Sequence, residues 1–238
     1  MSRARHSLLL APMTTQIIFI RHGETDWNRN LRIQGHIDIP LAQSGVEQAQ
    51  RLGARFADAA RDGLRLDAIV SSDLARAWQT AQPVADALGL AISPAPGLRE
   101  RLFGRFQGLD SDGIAAQFPH EFAQWKTHNP EFVPPDGESH VEFYHRVLHA
   151  LEPVIAAYPD GRVVCVTHGG VLDCVYRFAR GIALEVRRDW PLLNASVNVV
   201  DFDSDGYVTQ ANIVSWADVS HLDGESSDDG LRMSGTSR

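Results

Sequence analysis

Two histidines, each closing an apolar run and each followed by glycine, are the residues best placed to do chemistry: His22 in Arg21-His22-Gly23 and His168 in Thr167-His168-Gly169-Gly170. An imidazole can ligate a metal, move a proton or attack an electrophile, so the company decides. Arg21 adjoins the first histidine, and Arg76 lies a few residues beyond a third apolar run, Ala68-Ile69-Val70. Two fixed guanidiniums disfavour a bound cation and favour a phosphate, which arginine grips through parallel hydrogen bonds. A lone His-Gly step is most often a turn, and a lone Arg76 a helix-surface charge. Two such steps with two arginines point instead to an anion pocket.

These groups meet only if their elements bring them to one place. Ile17-Ile18-Phe19-Ile20, Ala68-Ile69-Val70 and Val163-Val164-Cys165-Val166 each stop at a polar turn and precede a helix-like segment. That rhythm predicts an α/β fold: a three-layer sandwich with a mostly parallel central sheet and helices on both faces. Open parallel sheets bind ligands beyond the carboxyl ends of their strands, where both His-Gly steps fall. Ser44 with Glu47, and Ser139 with Glu142, match the capping box that opens a helix. After Ser139, Val141, Tyr144, Val147, Leu148, Leu151, Val154, Ile155 and Tyr158 recur at helical spacing. Gly181 suits the left-handed cap of a helix begun near Val171. Val197 to Phe202 and Tyr207 to Val214 flank a turn-rich spacer and predict an antiparallel hairpin at a sheet edge.

Residues 102–138 break the rhythm with Gly104, Gly108, Gly113, Pro119, Pro130, Pro134, Pro135 and Gly137 among Phe and Trp. They read as a cap-like insertion over the active site, with a short helix around Ile114 to Lys126. The expected division is an N-terminal extension over 1–14, a single domain over 15–218 and a disordered tail over 219–238, rich in Ser, Asp and Gly. At 238 residues, with 44% apolar and 22% charged, the chain is long enough for a substantial core and is neither fibrous nor disordered as a whole. Its 22 Lys and Arg against 30 Asp and Glu leave a net charge of −8, which opposes nucleic acid and anionic lipid as partners. Leu8 to Met13 is too short to span a membrane, and Cys165 and Cys174 sit in apolar runs without a metal pattern, so a cytoplasmic, reducing setting is expected. His145 and His149, one helical turn apart, read as a solvated face, and Cys165 as core.

The run Arg21-His22-Gly23-Glu24-Thr25-Asp26-Trp27-Asn28 closely resembles the signature of the histidine phosphatase superfamily, also called the phosphoglycerate mutase-like family. The resemblance extends from about Gln16 to Val214, with the motifs in the family's order. Gln34-Gly35 with Pro40-Leu41 and Ser44-Gly45, Ser71-Ser72-Asp73-Leu74-Ala75-Arg76-Ala77 with Thr80-Ala81, Leu98-Arg99-Glu100 with Gly104, Gln107 and Gly108, and Val166-Thr167-His168-Gly169-Gly170 all look like its blocks. Asn194 and Ser196 stand where the family often has a similar pair. The resemblance implies that His22 is the nucleophile and that Arg21, Arg76 and His168 hold the phosphoryl oxygens. It also implies that Glu100 protonates the leaving group and that Asn28, Gln34, Gly35 and Gly169 border the substrate. No metal is needed for such chemistry. Glu24 belongs to the signature but could serve to orient an arginine.

The family contains phosphatases and mutases. Its cofactor-dependent phosphoglycerate mutases carry a longer segment after the acid, with a lysine and an adjacent arginine pair. Between Glu100 and Ser139 this chain has only Arg101, Arg105 and Lys126 as cations, against Asp110, Asp112, Glu121, Glu131, Asp136 and Glu138. Those acids are expected to repel a multiply charged substrate. Pro134-Pro135-Asp136-Gly137-Glu138-Ser139 resembles the short connector of phosphatase branches. The expectation is a metal-independent phosphomonoester hydrolase acting on a small phosphorylated metabolite. The alternatives are a mutase, which would need 2,3-bisphosphoglycerate as primer, and an inactive phosphoanion-binding protein. Phe103, Phe106, Phe118, Phe122 and Trp125 either pack the insertion or line its pocket, and the final hairpin could be a homodimer edge or a covered one.

Overall fold

The computed structural model describes residues 14–203 and 208–222. Strand β1 (Thr14–Arg21) is followed by α1 (Asp26–Arg29), α2 (Gln43–Arg61), β2 (Ala68–Ser71), α3 (Ala75–Leu88) and the short β3 (Ile92–Pro94). After α4 (Ser111–Gln117) and α5 (Pro119–Trp125) come α6 (His140–Ala157), β4 (Arg162–Thr167), α7 (Gly169–Arg180), β5 (Val197–Asp203) and β6 (Ala211–Asp218). The sheet order is β3-β2-β4-β1-β5-β6. The first four strands are parallel, and β5 and β6 add an antiparallel edge.

The period of two along each strand builds the three layers. On one face Ile17, Phe19, Val163 and Cys165 pack against Phe143, Val147, Leu151 and Ile155 of α6 and Leu172 and Val175 of α7. On the other, Ile18, Ile20, Val164 and Val166 meet Leu52 and Phe56 of α2 and Ala77, Ala81 and Val84 of α3. The thiol of Cys165 is fully buried in the first layer, and burial pushes its pKa up.

Helix α6 opens with the expected box: Ser139 Oγ accepts from the Glu142 amide at 3.0 Å, and Glu142 Oε2 accepts from the Ser139 amide at 2.8 Å. Its buried ridge is narrower than the apolar stripe and includes Phe143, while Val141, Tyr144, Leu148, Val154 and Tyr158 flank it half-buried. Helix α7 starts at Gly169, two residues before Val171, and ends at Gly181 with φ 63°. His145 and His149 are exposed, as a solvated face requires.

Several expectations need correction. Ser44 and Glu47 form no capping box, because α2 begins two residues earlier, with Ala42 at the cap position, and Ser44 Oγ donates to Glu24 Oε2 at 2.5 Å instead. The single helix expected from Ile114 to Lys126 is two, divided at Phe118 (φ −136°, ψ 58°), since a residue before proline is disfavoured in helical conformation. The second hairpin strand begins at Ala211, and 204–207 lie outside the described residues. Of the expected 219–238 tail, Ser220–Leu222 form a 3-10 turn whose Leu222 is buried against the second layer; 223–238 lie outside the described residues. Of the expected extension over 1–14, Thr14 belongs to β1 and the rest is likewise outside them.

The insertion has a core of its own, in which Ile33, Phe106, Ile114 and Phe132 are buried with Phe103, Phe118, Phe122 and Trp125 around them. Leu151 is wholly buried between α6 and the sheet. Leu151→Ala should lower unfolding stability by about 2–5 kcal/mol in urea titration, from lost transfer energy plus an unfilled cavity.

Candidate active site

Register brings the two histidines together. Arg21 ends β1 opposite Thr167 of β4, so His22 and His168 leave neighbouring strands side by side, with ring centroids 5.2 Å apart. The His22 amide donates to the Thr167 carbonyl at 2.8 Å, Asn194 Nδ2 donates to the His22 carbonyl at 3.0 Å, and the Arg21 amide donates to the Ser196 carbonyl. The Gly23 amide donates to Thr80 Oγ1 at 2.9 Å, tying the turn to α3.

His22 Nδ1 lies 2.7 Å from the Gly23 carbonyl. A carbonyl only accepts, so Nδ1 carries the proton and Nε2 keeps its lone pair. Burial first, then the charges of Arg76 and Arg21, push the His22 pKa well below 6.5. The same causes, burial leading, hold His168 uncharged. His168 Nε2 sits 2.8 Å from Ser72 Oγ; with that hydroxyl donating, Nδ1 carries the proton, and it is buried without a partner.

Arg76 is fully buried, yet among the described residues no carboxylate pairs with it. Its Nη2 donates to the Gly35 carbonyl at 2.8 Å and its Nη1 to the Ile37 carbonyl at 3.2 Å, leaving Nε buried without a partner. Arg21 Nη1 donates to the Leu192 carbonyl. Carbonyls are neutral acceptors, so these bonds cost neither guanidinium its charge. Burial lowers the Arg76 pKa to about 10, which still leaves it cationic at neutral pH.

Arg21, His22, Asn28, Gln34, Gly35, Arg76, Glu100 and Gly169 line one cavity of about 280 Å³; His168 is not among its lining residues but packs edge-on against His22. Asn28 Oδ1 accepts from the Thr25 amide and hydroxyl, which turns the opposite end of the amide away from Thr25. Glu100 Oε1 accepts from the Arg101 amide at 2.7 Å and Oε2 from the Gly170 amide at 3.0 Å. A Cβ on Gly170 would stand 2.1 Å from Glu100 Oε1, so position 170 must be glycine for the carboxylate to lie there. Arg146 of α6 holds the Glu100 segment by donating to the carbonyls of Gly97, Arg99 and Glu100. Glu24 stays structural, accepting from Arg29 Nε at 2.8 Å.

Residues 17–215 match the family model of the histidine phosphatase superfamily (branch 1). The chain belongs to that superfamily. Within it, the chain is 37% identical over 211 residues to phosphoglycerate mutase-like protein 4 of Arabidopsis thaliana, covering 87% of each. It is also 37% identical over 211 residues to a metal-independent phosphoserine phosphatase of the same plant, covering 87% of this chain and 83% of that one. A mycobacterial glucosyl-3-phosphoglycerate phosphatase superposes with a TM-score of 0.71 at 28% identity, over 86% of this chain and 99% of that structure. The histidine phosphatase motifs thus occur here on the fold that other members share.

Sequence reasoning gave no role to Ser72 or Thr80, although both stand in quoted motifs, and missed Arg146, whose partners are backbone carbonyls far away in the chain. The charge expectation for the insertion is overturned. Asp110, Asp112, Glu121, Glu131 and Asp136 are absent from the cavity wall, whereas Arg32, Arg101 and Arg188 join it, opposed by Glu100 and Asp173. Phe103 and Trp125 line the cavity, while Phe106 is buried in the insertion's core.

Burial also lowers His140 to about 3 and His221 to about 4. An unfolded imidazole takes up a proton near 6.5 that these folded ones refuse, so acidification favours the unfolded chain. Stability should fall as pH drops below about 6.5, by up to about 1.4 kcal/mol per pH unit for each such imidazole. Urea midpoints at pH 7.5 and 5.5 test this, and His140→Asn should flatten the slope. A midpoint that rises on acidification would show the imidazoles protonated in the fold.

Proposed function

We propose that the protein is a metal-independent phosphomonoesterase that works through a phosphohistidine at His22. The observation that carries the reading is the bond from His22 Nδ1 to the Gly23 carbonyl, which leaves Nε2 unprotonated beside two buried guanidiniums. Nε2 attacks phosphorus as the ester P–O bond breaks, and the departing oxygen takes a proton from Glu100. Water then attacks the phosphohistidine, Glu100 recovers a proton from that water, and the P–N bond breaks to release phosphate.

Arg21, Arg76 and the His168 Nδ1 proton hold the phosphoryl oxygens, with Asn28, Gln34, Gly35 and Gly169 bordering the substrate. Fixed donors of this kind stabilise charge spread over the transferring group. The absence of a metal requirement is supported by the positive charge at the site and by the relative named as a metal-independent phosphoserine phosphatase. The buried free thiols of Cys165 and Cys174 suit a reducing, cytoplasmic setting. Among the described residues no helix is long and apolar enough to cross a membrane.

A mutase differs only in the acceptor, which would be a bound phosphoglycerate in place of water. Phosphate release from a panel of phosphomonoesters in a chelator, beside an assay for conversion of 3-phosphoglycerate to its 2-isomer, separates the two. Release without isomerisation is expected. His22→Ala should abolish both release and the acid-labile label left by a radioactive phosphoester; isomerisation without release would make the mutase reading correct.

Gly170→Ala pushes a methyl group into the Glu100 carboxylate and Phe143. It should slow turnover of alkyl esters by about a hundredfold, within the range of a lost general acid, while affecting nitrophenyl phosphate much less. Equal losses on good and poor leaving groups would remove Glu100 as the proton donor.

A further inference from the structure

The loop that Arg76 grips also carries a ring that reaches Glu100. Arg76 donates to the carbonyls of Gly35 and Ile37, and the residue between them, His36, has its Nε2 2.8 Å from the Glu100 carbonyl. A carbonyl only accepts, so Nε2 carries the proton and donates it. We propose that His36 is a positioning residue: it spans from the Arg76 loop to the main chain of Glu100 and fixes the Glu100 carboxylate relative to the Arg76 guanidinium. The inference rests on the phosphomonoesterase reading above for what those two groups do, and adds the part that keeps them in register.

One end of this strut is anchored several times over. Besides the two bonds from Arg76, Asp38 accepts from the Ala75 amide at 2.7 Å, at the start of the helix that bears Arg76. Gln107 Oε1 accepts from the His36 amide at 2.6 Å. That bond passes over Gly35, where φ is 55° and a Cβ would collide with the same oxygen, so glycine is required there.

The other end has fewer holds. Glu100 belongs to no helix or strand. Its carboxylate rests on the Arg101 and Gly170 amides, and its carbonyl is shared between His36 Nε2 and Arg146 Nη2, the latter at 3.1 Å. Arg146 ties Glu100 to α6, whereas His36 ties it to the loop on Arg76. Burial leads the causes that lower the His36 pKa below 6.5, so at neutral pH the ring adds no charge beside Glu100. A reacting group displaced by about 1 Å can lose about a hundredfold in rate. Arg146 and the two amides remain when the ring is removed, so a smaller loss is expected.

His36→Leu, which removes the donor, and His36→Gln, which returns an N–H at similar reach, test the proposal on the full chain. The Arg101 and Gly170 amides report the Glu100 carboxylate directly, because they donate to it. His36→Leu should speed their hydrogen exchange by about tenfold, the worth of one hydrogen bond, and His36→Gln should restore most of the protection. The His22 amide, bonded to the Thr167 carbonyl, should keep its protection in both and so verify folding.

In turnover, His36→Leu should lower kcat on an alkyl phosphate by about tenfold and on nitrophenyl phosphate much less. KM and inhibition by inorganic phosphate should stay near their original values, since Arg76 keeps both of its carbonyls. In a Glu100→Gln background, adding His36→Leu should cost little more, because the ring acts through that carboxyl. Unchanged exchange at Arg101 and Gly170 overturns the proposal, as does an equal loss on both esters or full additivity with Glu100→Gln. Faster exchange in a protein whose unaltered form releases phosphate from no ester would keep the tie and sink the phosphomonoesterase reading. Release with exchange unmoved would do the reverse.

Discussion

Keeping an imidazole uncharged beside two buried guanidiniums is the constraint on which the rest of the site depends. Burial alone disfavours the charged ring, and Arg76 and Arg21 add to that. A protonated His22 would have no lone pair to offer. The guanidiniums must in turn be solvated inside the fold without adding a further charge beside that ring. Backbone carbonyls resolve the conflict: those of Gly35, Ile37 and Leu192 accept from the guanidiniums and bring no formal charge. Two loops are thereby fastened to the sheet edge by Arg76 and Arg21.

The Glu100 side of the cavity is arranged by similar means. Glu100 stands on a segment with little regular structure, yet its carboxylate receives two backbone amides and its main chain is gripped by Arg146 from α6. Arg146 also pairs with Glu138 at the end of the insertion, at 2.6 Å. One side chain therefore couples the position of Glu100 to the end of the insertion. His36 adds a further tie, with Nε2 2.8 Å from the Glu100 carbonyl. Rigid placement by groups that do not touch the ligand is what a transition-state site requires.

Electrostatics over the whole chain and at the site have opposite signs. The chain as a whole carries −8, while Arg21, Arg32, Arg76, Arg101 and Arg188 gather around one cavity. Charge summed along a segment was a poor guide here, since acids of the insertion face elsewhere and cations arrive from beyond α7. The same lesson holds for Ser44: an S-x-x-E pattern predicts a cap, but a nearby Glu24 with Arg29 offered the hydroxyl a stronger partner.

The amino-acid sequence by itself determined the strand and helix rhythm, the two His-Gly steps with Arg21 and Arg76, the Ser139 capping box and the family. These are legible because hydrophobic period and turn chemistry act over a few residues. Only the tertiary structure decided that Ser72 orients His168, that Arg146 holds the Glu100 segment, that Phe143 belongs to the buried ridge of α6, and that Arg188 reaches the pocket. Each of those contacts joins residues remote in the chain, mostly through backbone carbonyls or shared burial. Neither leaves a mark in residue type or spacing, because every residue has a carbonyl and only the packed fold determines which ones meet a side chain.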